Sequence, residues 1–335
     1  MAIGQAIGAI GLGLFQLIVG LILAIACIYV GFSLFNKILK EIDLQEELKK
    51  GNTSVGIVTV AIMITLAGII SGSVSRITSS ISDISGMNVI DILVKVVAPG
   101  IVQLAVGVVL AVVAIYMAFK IWGRITTKTK EIDELHKNNV AIGIVMAGIL
   151  IAVGFVIQGS VGGIGTAIAT LKVVEILLGL LQFAIGLILA MACIYVGFSL
   201  FDKILTEIDL QDELNKGNTA VGIVSAAIMI TLAEVIRSAV SGITSGLLGQ
   251  EMNFIGAIVG GVTHLIVGIV FAVIAILIAF KIWDKITAKI EETDELKKNN
   301  VAIGIVMAGV LISVGFVIQS AISGIGVAIA IAFKI

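Results

Sequence analysis

The sequence predicts an all-α membrane protein, a polytopic helical bundle with eight transmembrane helices from four tandem two-helix units. Three observations support this class. The 335 residues are 59% hydrophobic and only 13% charged, and the mean hydropathy is +1.21, which is typical of integral membrane proteins. The apolar residues form long continuous runs and not the short alternating segments of a transmembrane barrel. Finally, one pattern of apolar segment, charged loop and apolar segment occurs four times.

The four copies, which we call repeats 1 to 4, are visible when the chain is aligned with itself. The nonapeptide from Cys27 to Phe35 recurs unchanged from Cys193 to Phe201. Shorter offsets relate the two copies within each half of the chain. These offsets predict two four-helix halves, residues 1–165 and 166–335. Tandem copies of one hydropathy pattern must cross the bilayer in the same sense, so all four charged loops are expected on one side.

Each repeat contains two apolar segments, which we call segment a and segment b. Segment a begins at a polar residue and ends where the lysines begin; from Gln16 to Lys37 it would span roughly 31 Å of helix, about one hydrocarbon thickness. Segment b begins at an asparagine, whose side-chain oxygen can accept a free backbone N–H as a helix N-cap. The four capping asparagines are Asn52, Asn139, Asn218 and Asn300.

The loops between segments a and b hold most of the 21 Lys and Arg residues. Because the Lys/Arg bias sets orientation, the loops are predicted to be cytoplasmic and both termini external, in a multi-pass protein of the cell membrane. Ile38, Leu39, Ile42 and Leu48 are spaced for one helical face, which predicts that segment a continues as an amphipathic helix. That face would close the hairpin or dock a soluble cytoplasmic partner. Residues 1–11, 160–175 and 321–335 are interpreted as interfacial or re-entrant segments.

Small residues recur at the same positions of segment a in every repeat. A glycine is followed four residues later by an alanine, a spacing that lets two membrane helices approach closely. We therefore predict that each helix pair packs along this stripe. The residues are Gly20, Ala24, Gly107, Ala111, Gly186, Ala190, Gly268 and Ala272.

Few polar residues fall inside the apolar segments. Gln16, Gln103, Gln182 and His264 occupy one level of segment a, where they would form interhelical hydrogen bonds or line a pore. Glu234 and Arg237 lie three residues apart on segment b of repeat 3, so they can pair, as a local clasp or as a functional intramembrane site.

Residues suited to catalysis or to cofactor binding are not evident in the sequence. Cys27 and Cys193 lie at equivalent mid-segment positions and behave as small apolar residues, which indicates neither a disulfide nor a metal site. Neither a nucleophile–base pair nor a phosphate-binding loop is present, so we predict that the protein is not an enzyme and needs no cofactor. The formal net charge of -1 provides no basic surface for nucleic acid.

The junctions between loop and segment b resemble a family of small membrane proteins, the domain of unknown function 350 family. The matching stretches are K-K-G-N-T-S-V-G (49–56), H-K-N-N-V-A-I-G (136–143), N-K-G-N-T-A-V-G (215–222) and K-K-N-N-V-A-I-G (297–304). The resemblance implies a four-helix membrane unit with two asparagine-bearing junctions, present here as two copies. It implies no particular activity.

These features favour a non-enzymatic integral membrane protein with a structural or scaffolding role that assembles with itself and contacts membrane lipid. The alternative is a channel or transporter whose path is lined by the level of glutamines and histidine. A lattice-forming envelope component would share the packing features of a scaffold.

Overall fold

The computed structural model describes residues 2–81, 98–126, 129–169, 173–247 and 254–333. These residues form helices and no strand, so the predicted all-α class is confirmed. Long, short and long helices follow one another four times. The helices are α1 (Ala2–Ile38), α2 (Leu44–Lys49), α3 (Thr53–Ile81), α4 (Ala98–Ile125), α5 (Glu131–His136), α6 (Val140–Ala169), α7 (Val173–Ile204), α8 (Leu210–Asn215), α9 (Thr219–Leu247), α10 (Phe254–Ile286), α11 (Glu292–Lys297) and α12 (Val301–Phe333).

Seven of the described helices are long and apolar enough to cross a membrane. Their candidate spans are Gly20–Ile38, Ala105–Ile125, Val140–Gln158, Ile176–Ile204, Thr219–Arg237, Leu265–Ile286 and Val301–Ile325. The apolar part of α3 is shorter, Thr53–Gly68. The protein is therefore a multi-pass helical membrane protein, and the eighth span remains a prediction.

The long helices extend well beyond one hydrocarbon thickness. At 1.5 Å per residue, the 37 residues of α1 span about 55 Å, and the bilayer core is about 30 Å thick. Residues 2–11, 160–169 and 321–333 continue α1, α6 and α12 without a break in the helix. A re-entrant segment needs a turn, so the re-entrant alternative is wrong for these stretches, and the interfacial alternative stays a prediction.

The segment-b helices form a row in chain order: α3 packs on α6, α6 on α9, and α9 on α12. Each later segment-a helix lies between the segment b of its own repeat and that of the repeat before it. Thus α4 contacts α3 and α6, α7 contacts α6 and α9, and α10 contacts α9 and α12. We call the contact between two successive repeats a seam.

Small residues bring the segment-b helices into backbone contact at each seam. An ideal Cβ on Gly143 would lie 2.9 Å from Cα of Ser54, and one on Gly148 would lie 2.7 Å from Cα of Ala226. Gly304 is equally close to Cα of Ala220. Glycine is needed at these positions because a side chain would meet the neighbouring backbone.

The charged loops do not continue segment a as the predicted amphipathic helix. In repeat 1, α1 ends at Ile38, and α2 begins six residues later after Asp43, whose Oδ1 accepts the backbone N–H of Glu46 at 3.0 Å. Leu39 and Ile42 are buried, with 4% and 2% of their surface exposed. The chain therefore folds back at this point, and these apolar residues close the hairpin.

Candidate functional site

The asparagines at the start of the segment-b helices, here called the junction asparagines, cap these helices. The Oδ1 atom of Asn52 accepts the backbone N–H of Val55 at 3.1 Å, and Asn218 Oδ1 accepts that of Val221 at 3.1 Å. Asn139 and Asn300 make the equivalent bonds at 3.3 and 3.4 Å. Each bond satisfies a backbone donor that the first turn of a helix leaves without a partner.

The Nδ2 atoms of three junction asparagines connect each repeat to the next. Asn52 Nδ2 donates to the carbonyl oxygen of Leu135 at 2.8 Å, and Asn139 Nδ2 donates to that of Leu214 at 2.9 Å. Asn218 Nδ2 donates to the carbonyl oxygen of Leu296 at 2.7 Å. These bonds place the four charged loops side by side, at the end of the bundle where the segment-b helices begin.

Asn300, in repeat 4, differs from the other three in its contacts. Its Nδ2 donates to Glu295 Oε2 at 2.7 Å, and within the described residues it makes no bond to a leucine carbonyl. The side chain of Asn300 is also partly exposed, whereas the other three are buried. The junction of repeat 4 is thus built like the others but has no partner repeat.

A glutamate five residues before each junction asparagine accepts its Nδ2. Asn52 Nδ2 donates to Glu47 Oε2 at 2.7 Å, and this hydrogen bond, together with that from Lys50, holds the pKa of Glu47 below its usual range. Burial alone would raise the pKa of Glu134, but hydrogen bonds from Lys137 and Asn139 outweigh it and lower that pKa. These carboxylates therefore stay charged at neutral pH and orient the amides.

The residue before each junction asparagine adopts a left-handed conformation. Asn138 and Asn299 have φ of 59° and 57°, and Gly51 and Gly217 have φ of 80°. Asn138 Oδ1 accepts the backbone N–H of Ser54, and Asn299 Oδ1 accepts that of Ala220, both at 3.0 Å. The seams after repeats 1 and 3 therefore contain an additional bond that a glycine cannot provide after repeat 2.

Further contacts between loops differ from seam to seam. His136 Nε2 lies 3.2 Å from the carbonyl oxygen of Glu41, and Lys297 Nζ lies 2.7 Å from Glu207 Oε2. Thr129 Oγ1 donates to Asn215 Oδ1 at 2.9 Å. The junction asparagines are thus the shared element of the seams, and the surrounding charges vary.

The structure brings Glu234 and Arg237 together inside the bundle. Glu234 Oε2 lies 2.9 Å from Arg237 Nη2, and the Glu234 side chain is only 4% exposed, so it is enclosed by the protein. Arg237 Nη1 donates to Gln158 Oε1 at 3.4 Å, and Gln158 Nε2 donates to the carbonyl oxygen of Gly68 at 2.7 Å. This polar chain connects α9, α6 and α3.

Sequence reasoning missed Gln158 as a member of this cluster. The junction asparagines supply the signal that could have found it, since Gln158 lies 19 residues after Asn139, as Arg237 does after Asn218 and Gln319 after Asn300. The repeat alignment thus defines a second polar level, on segment b. Its equivalent in repeat 1 is Ser71, whose side chain is outside the described part of the structure.

The level of polar residues on segment a is described at one position. Gln182 is buried, with 2% of its surface exposed. The side chains of Gln16, Gln103 and His264 lie outside the described residues. The prediction that the four side chains line a path or bond to neighbouring helices therefore stays a prediction.

The glycine and alanine stripe of segment a has two different environments. Gly107, Gly186 and Gly268 are buried, as are Ala111, Ala190 and Ala272. An ideal Cβ on Gly268 would lie 3.2 Å from Val235 Cγ1, on the preceding repeat. In repeat 1, Ala24 is exposed and Gly20 has nothing within 4 Å of an ideal Cβ. At Gly268 the stripe thus packs both on the preceding repeat and on its own segment b, where Ile322 Cγ2 lies 3.5 Å from the ideal Cβ.

Two hollows of different size are described. The cavity beside Trp283 and Met307 holds about 10 Å³, which is room for no more than one water molecule. An open depression of about 500 Å³ at the loop end is lined in part by Asp202, Glu207 and Asp209. In the described residues, no group of three or more His, Cys, Asp and Glu is arranged to hold a metal ion.

Comparison with known proteins identifies a family. The family described as Domain of Unknown Function (DUF350) matches residues 9–161, 96–240 and 257–333, which together cover most of the chain. The first match spans repeats 1 and 2, the second spans repeats 2 and 3, and the third lies in repeat 4. No curated protein and no solved structure matches the chain. By its asparagine junctions and by these matches, the chain belongs to the DUF350 family.

Proposed function

We propose that the protein is a non-enzymatic structural or scaffolding component of the cell membrane that assembles with itself. The observation that carries this proposal is the row of segment-b helices in backbone contact. Glycines such as Gly148 leave no space for a side chain between neighbouring helices, and the cavity beside Trp283 is about 10 Å³. A protein built to be rigid and solid needs this type of packing.

The proposed topology has eight spans in four tandem two-helix units, arranged as two halves of two units each. The charged loops face the cytoplasm and the termini lie outside, because most Lys and Arg residues are in these loops. The hydrogen bonds between successive loops hold all four at the same end of the bundle, which supports a common side of the membrane for them. Their exposed charges provide a surface for a soluble cytoplasmic partner.

The oligomeric state in native membrane tests this proposal. The full chain is extracted in polymer-bounded native nanodiscs, and the particle mass is measured at several dilutions and imaged by electron microscopy. We expect particles that contain several copies and no central opening. A single copy per particle, together with no crosslinking in intact membranes, would rule out the scaffolding role.

A second candidate function is transport, and the polar chain from Glu234 to Gly68 favours it. Ionisable groups within membrane helices often mark ion or proton paths. Its test is proton or ion flux in liposomes containing the full chain. Flux that is lost in Gln158→Leu and retained in Gln319→Leu would promote transport above scaffolding. Absence of flux in the unmodified chain would rule out transport.

A further inference from the structure

We propose that copies of this chain join head to tail, with repeat 4 of one copy packing on repeat 1 of the next as successive repeats pack within the chain. This inference rests on the proposed self-assembly and specifies its interface. The face that a repeat turns to the following repeat is here called its leading face. The face that it turns to the preceding repeat is called its receiving face.

The first step is that the three internal seams share one construction. On the leading face, Ser54, Ala141 and Ala220 each touch a receiving-face glycine of the next repeat, with ideal Cβ to Cα distances of 2.9 to 3.1 Å. The leading-face asparagine donates to a receiving-face leucine carbonyl in every case. A contact that forms three times with different surrounding residues depends on these shared elements.

The second step is that the leading face of repeat 4 is complete and uncovered. Ala302 takes the place of Ser54, Ala141 and Ala220, and it is exposed. Gly309 takes the place of Gly148, and nothing lies within 4 Å of its ideal Cβ. Val317 takes the place of Val235 and is 71% exposed.

The third step is that the receiving face of repeat 1 is also uncovered. Leu48 is 40% exposed, whereas its equivalents Leu135, Leu214 and Leu296 are fully buried. Val60 is 53% exposed, and Gly20 has nothing within 4 Å of an ideal Cβ. The uncovered residues of repeat 1 are thus those whose equivalents are covered by a preceding repeat.

The two uncovered faces match in register. Ala302 would meet Gly56 as Ala220 meets Gly304, and Val317 would meet Gly20 as Val235 meets Gly268. Asn300 Nδ2 would donate to the carbonyl oxygen of Leu48, which already accepts the backbone N–H of Gly51 in the way that Leu214 accepts that of Gly217. A second copy therefore supplies, in one register, the contacts that each end of the row lacks.

This interface is heterologous, since different surfaces of the two copies meet. Such a contact produces a closed ring if its rotation returns to the start and an open filament if it does not. One charge pair would differ from the internal seams. Lys289 and Lys49 take the places of Glu207 and Lys297, so two lysines would face each other where the internal seam has an ion pair.

Disulfide crosslinking in intact membranes tests the proposal. Ala302→Cys and Gly56→Cys are combined in a full chain whose Cys27 and Cys193 are replaced by alanine. Their internal equivalents, Ala220 Cβ and the ideal Cβ of Gly304, are 3.2 Å apart, so a small outward shift brings the pair to the roughly 3.8 Å typical of a disulfide. Oxidation is expected to produce a ladder of dimers, trimers and longer species. The control pair, Ala302→Cys with Ala105→Cys on the exposed side of α4, should produce none.

The outcomes separate this inference from the scaffolding proposal. Oligomeric particles without a ladder would show self-assembly through another face and overturn the inference alone. Dimers from Ala302→Cys by itself would indicate a symmetric contact and also overturn it. Monomeric particles would overturn both.

Two further variants keep the test independent of disulfide chemistry. Gly309→Trp should at least halve the particle mass, whereas Val109→Trp, at a position of α4 that is 61% exposed, should leave it unchanged. Lys289→Glu would recreate the Glu207–Lys297 arrangement with Lys49 and should strengthen assembly roughly twofold at low salt. Equal effects of the two tryptophans, or weaker assembly of Lys289→Glu, would contradict the interface.

Discussion

Segments a and b are both continuous apolar helices, yet they occupy different environments. In the central repeats, 78% of the span in α6 and 83% of that in α9 are buried inside the protein, compared with 19 to 39% of the spans in the segment-a helices. The span in α12 is also of the b type, but only 28% of it is buried, since among the described segment-b helices only α9 packs on it. Position in the row, and not apolar character, decides which helices meet protein and which meet lipid.

This difference in burial indicates which interactions hold the helices together. Lipid tails are as apolar as leucine, so burying apolar surface does not favour one helix contact over another. The segment-b helices associate because small residues let their backbones touch and because polar groups find partners across the seams. Four predictions test this distinction, in order of decreasing effect.

Gly148→Leu should have the largest effect, a loss of about 3 kcal/mol or more in unfolding free energy. The new side chain would clash with Ala226, whose Cα lies 2.7 Å from the ideal Cβ. The measurement is reversible denaturation of dilute, monomeric chains in mixed micelles. Gly309→Leu is the matched control, because Gly309 is the same position in repeat 4 with open space around it. Similar losses in both variants would show that backbone contact is not the source of stability.

Arg237→Leu should cost roughly 2–4 kcal/mol, since it leaves the buried Glu234 carboxylate without its cation. Replacing Glu234 with Gln in the same chain should recover part of the loss. Gln319→Leu, at the equivalent position of repeat 4, should have a smaller effect. Thermal unfolding in detergent measures all three. If the double variant is less stable than Arg237→Leu alone, the pair is not the reason for the loss.

Asn139→Ala and Asn300→Ala separate capping from the contact between repeats. Both variants lose a helix cap, which is worth about 1 kcal/mol. Asn139→Ala also loses its hydrogen bond to the Leu214 carbonyl, worth about 1 kcal/mol more. Denaturation of dilute, monomeric chains should therefore show the larger loss for Asn139→Ala. The mass of the assembled particles should show the opposite order. Asn300→Ala should lower this mass more than Asn139→Ala does, because only Asn300 lies at the proposed contact between copies.

Acid should weaken the loop end of the seams before it affects the packed segment-b helices. The pKa of Glu47 is lowered in the folded chain from its ordinary value of 4.5, as are those of Glu134, Glu213 and Glu295. A lowered pKa contributes stability that is complete above the ordinary value and is lost as the pH falls through the folded-state value. The melting temperature should be constant above roughly pH 5 and fall below about pH 4. Glu47→Gln should reduce this acid dependence.

The sequence was sufficient to predict the helical class and the capping asparagines, because both depend on local spacing. It did not predict that the asparagines also reach the next repeat, since Nδ2 of Asn52 and the carbonyl of Leu135 are 83 positions apart. The close backbone contacts were expected on segment a, whereas the closest ones join successive segment-b helices. Small residues occur in both segments, and only the order of the row determines which of them face a neighbour.

The end of helix α1 at Ile38 was also not predicted. The periodicity of Ile38, Leu39, Ile42 and Leu48 suits one helical face, but Asp43 starts a new helix and Leu39 and Ile42 turn into the core. The local signal for a new helix, the capping Asp43, therefore determined the structure here, and the spacing of the apolar residues did not. The polar level containing Gln158 could have been recognised from the repeat alignment, but its bond to Gly68 depends on tertiary packing.

The bond from a junction asparagine to a leucine carbonyl involves an amide and a backbone group, and so its acceptor is independent of the side chains of the repeat that provides it. Duplication or deletion of a whole repeat would leave such a bond intact on both sides. The number of repeats could therefore change while the same type of hydrogen bond joins each repeat to the next.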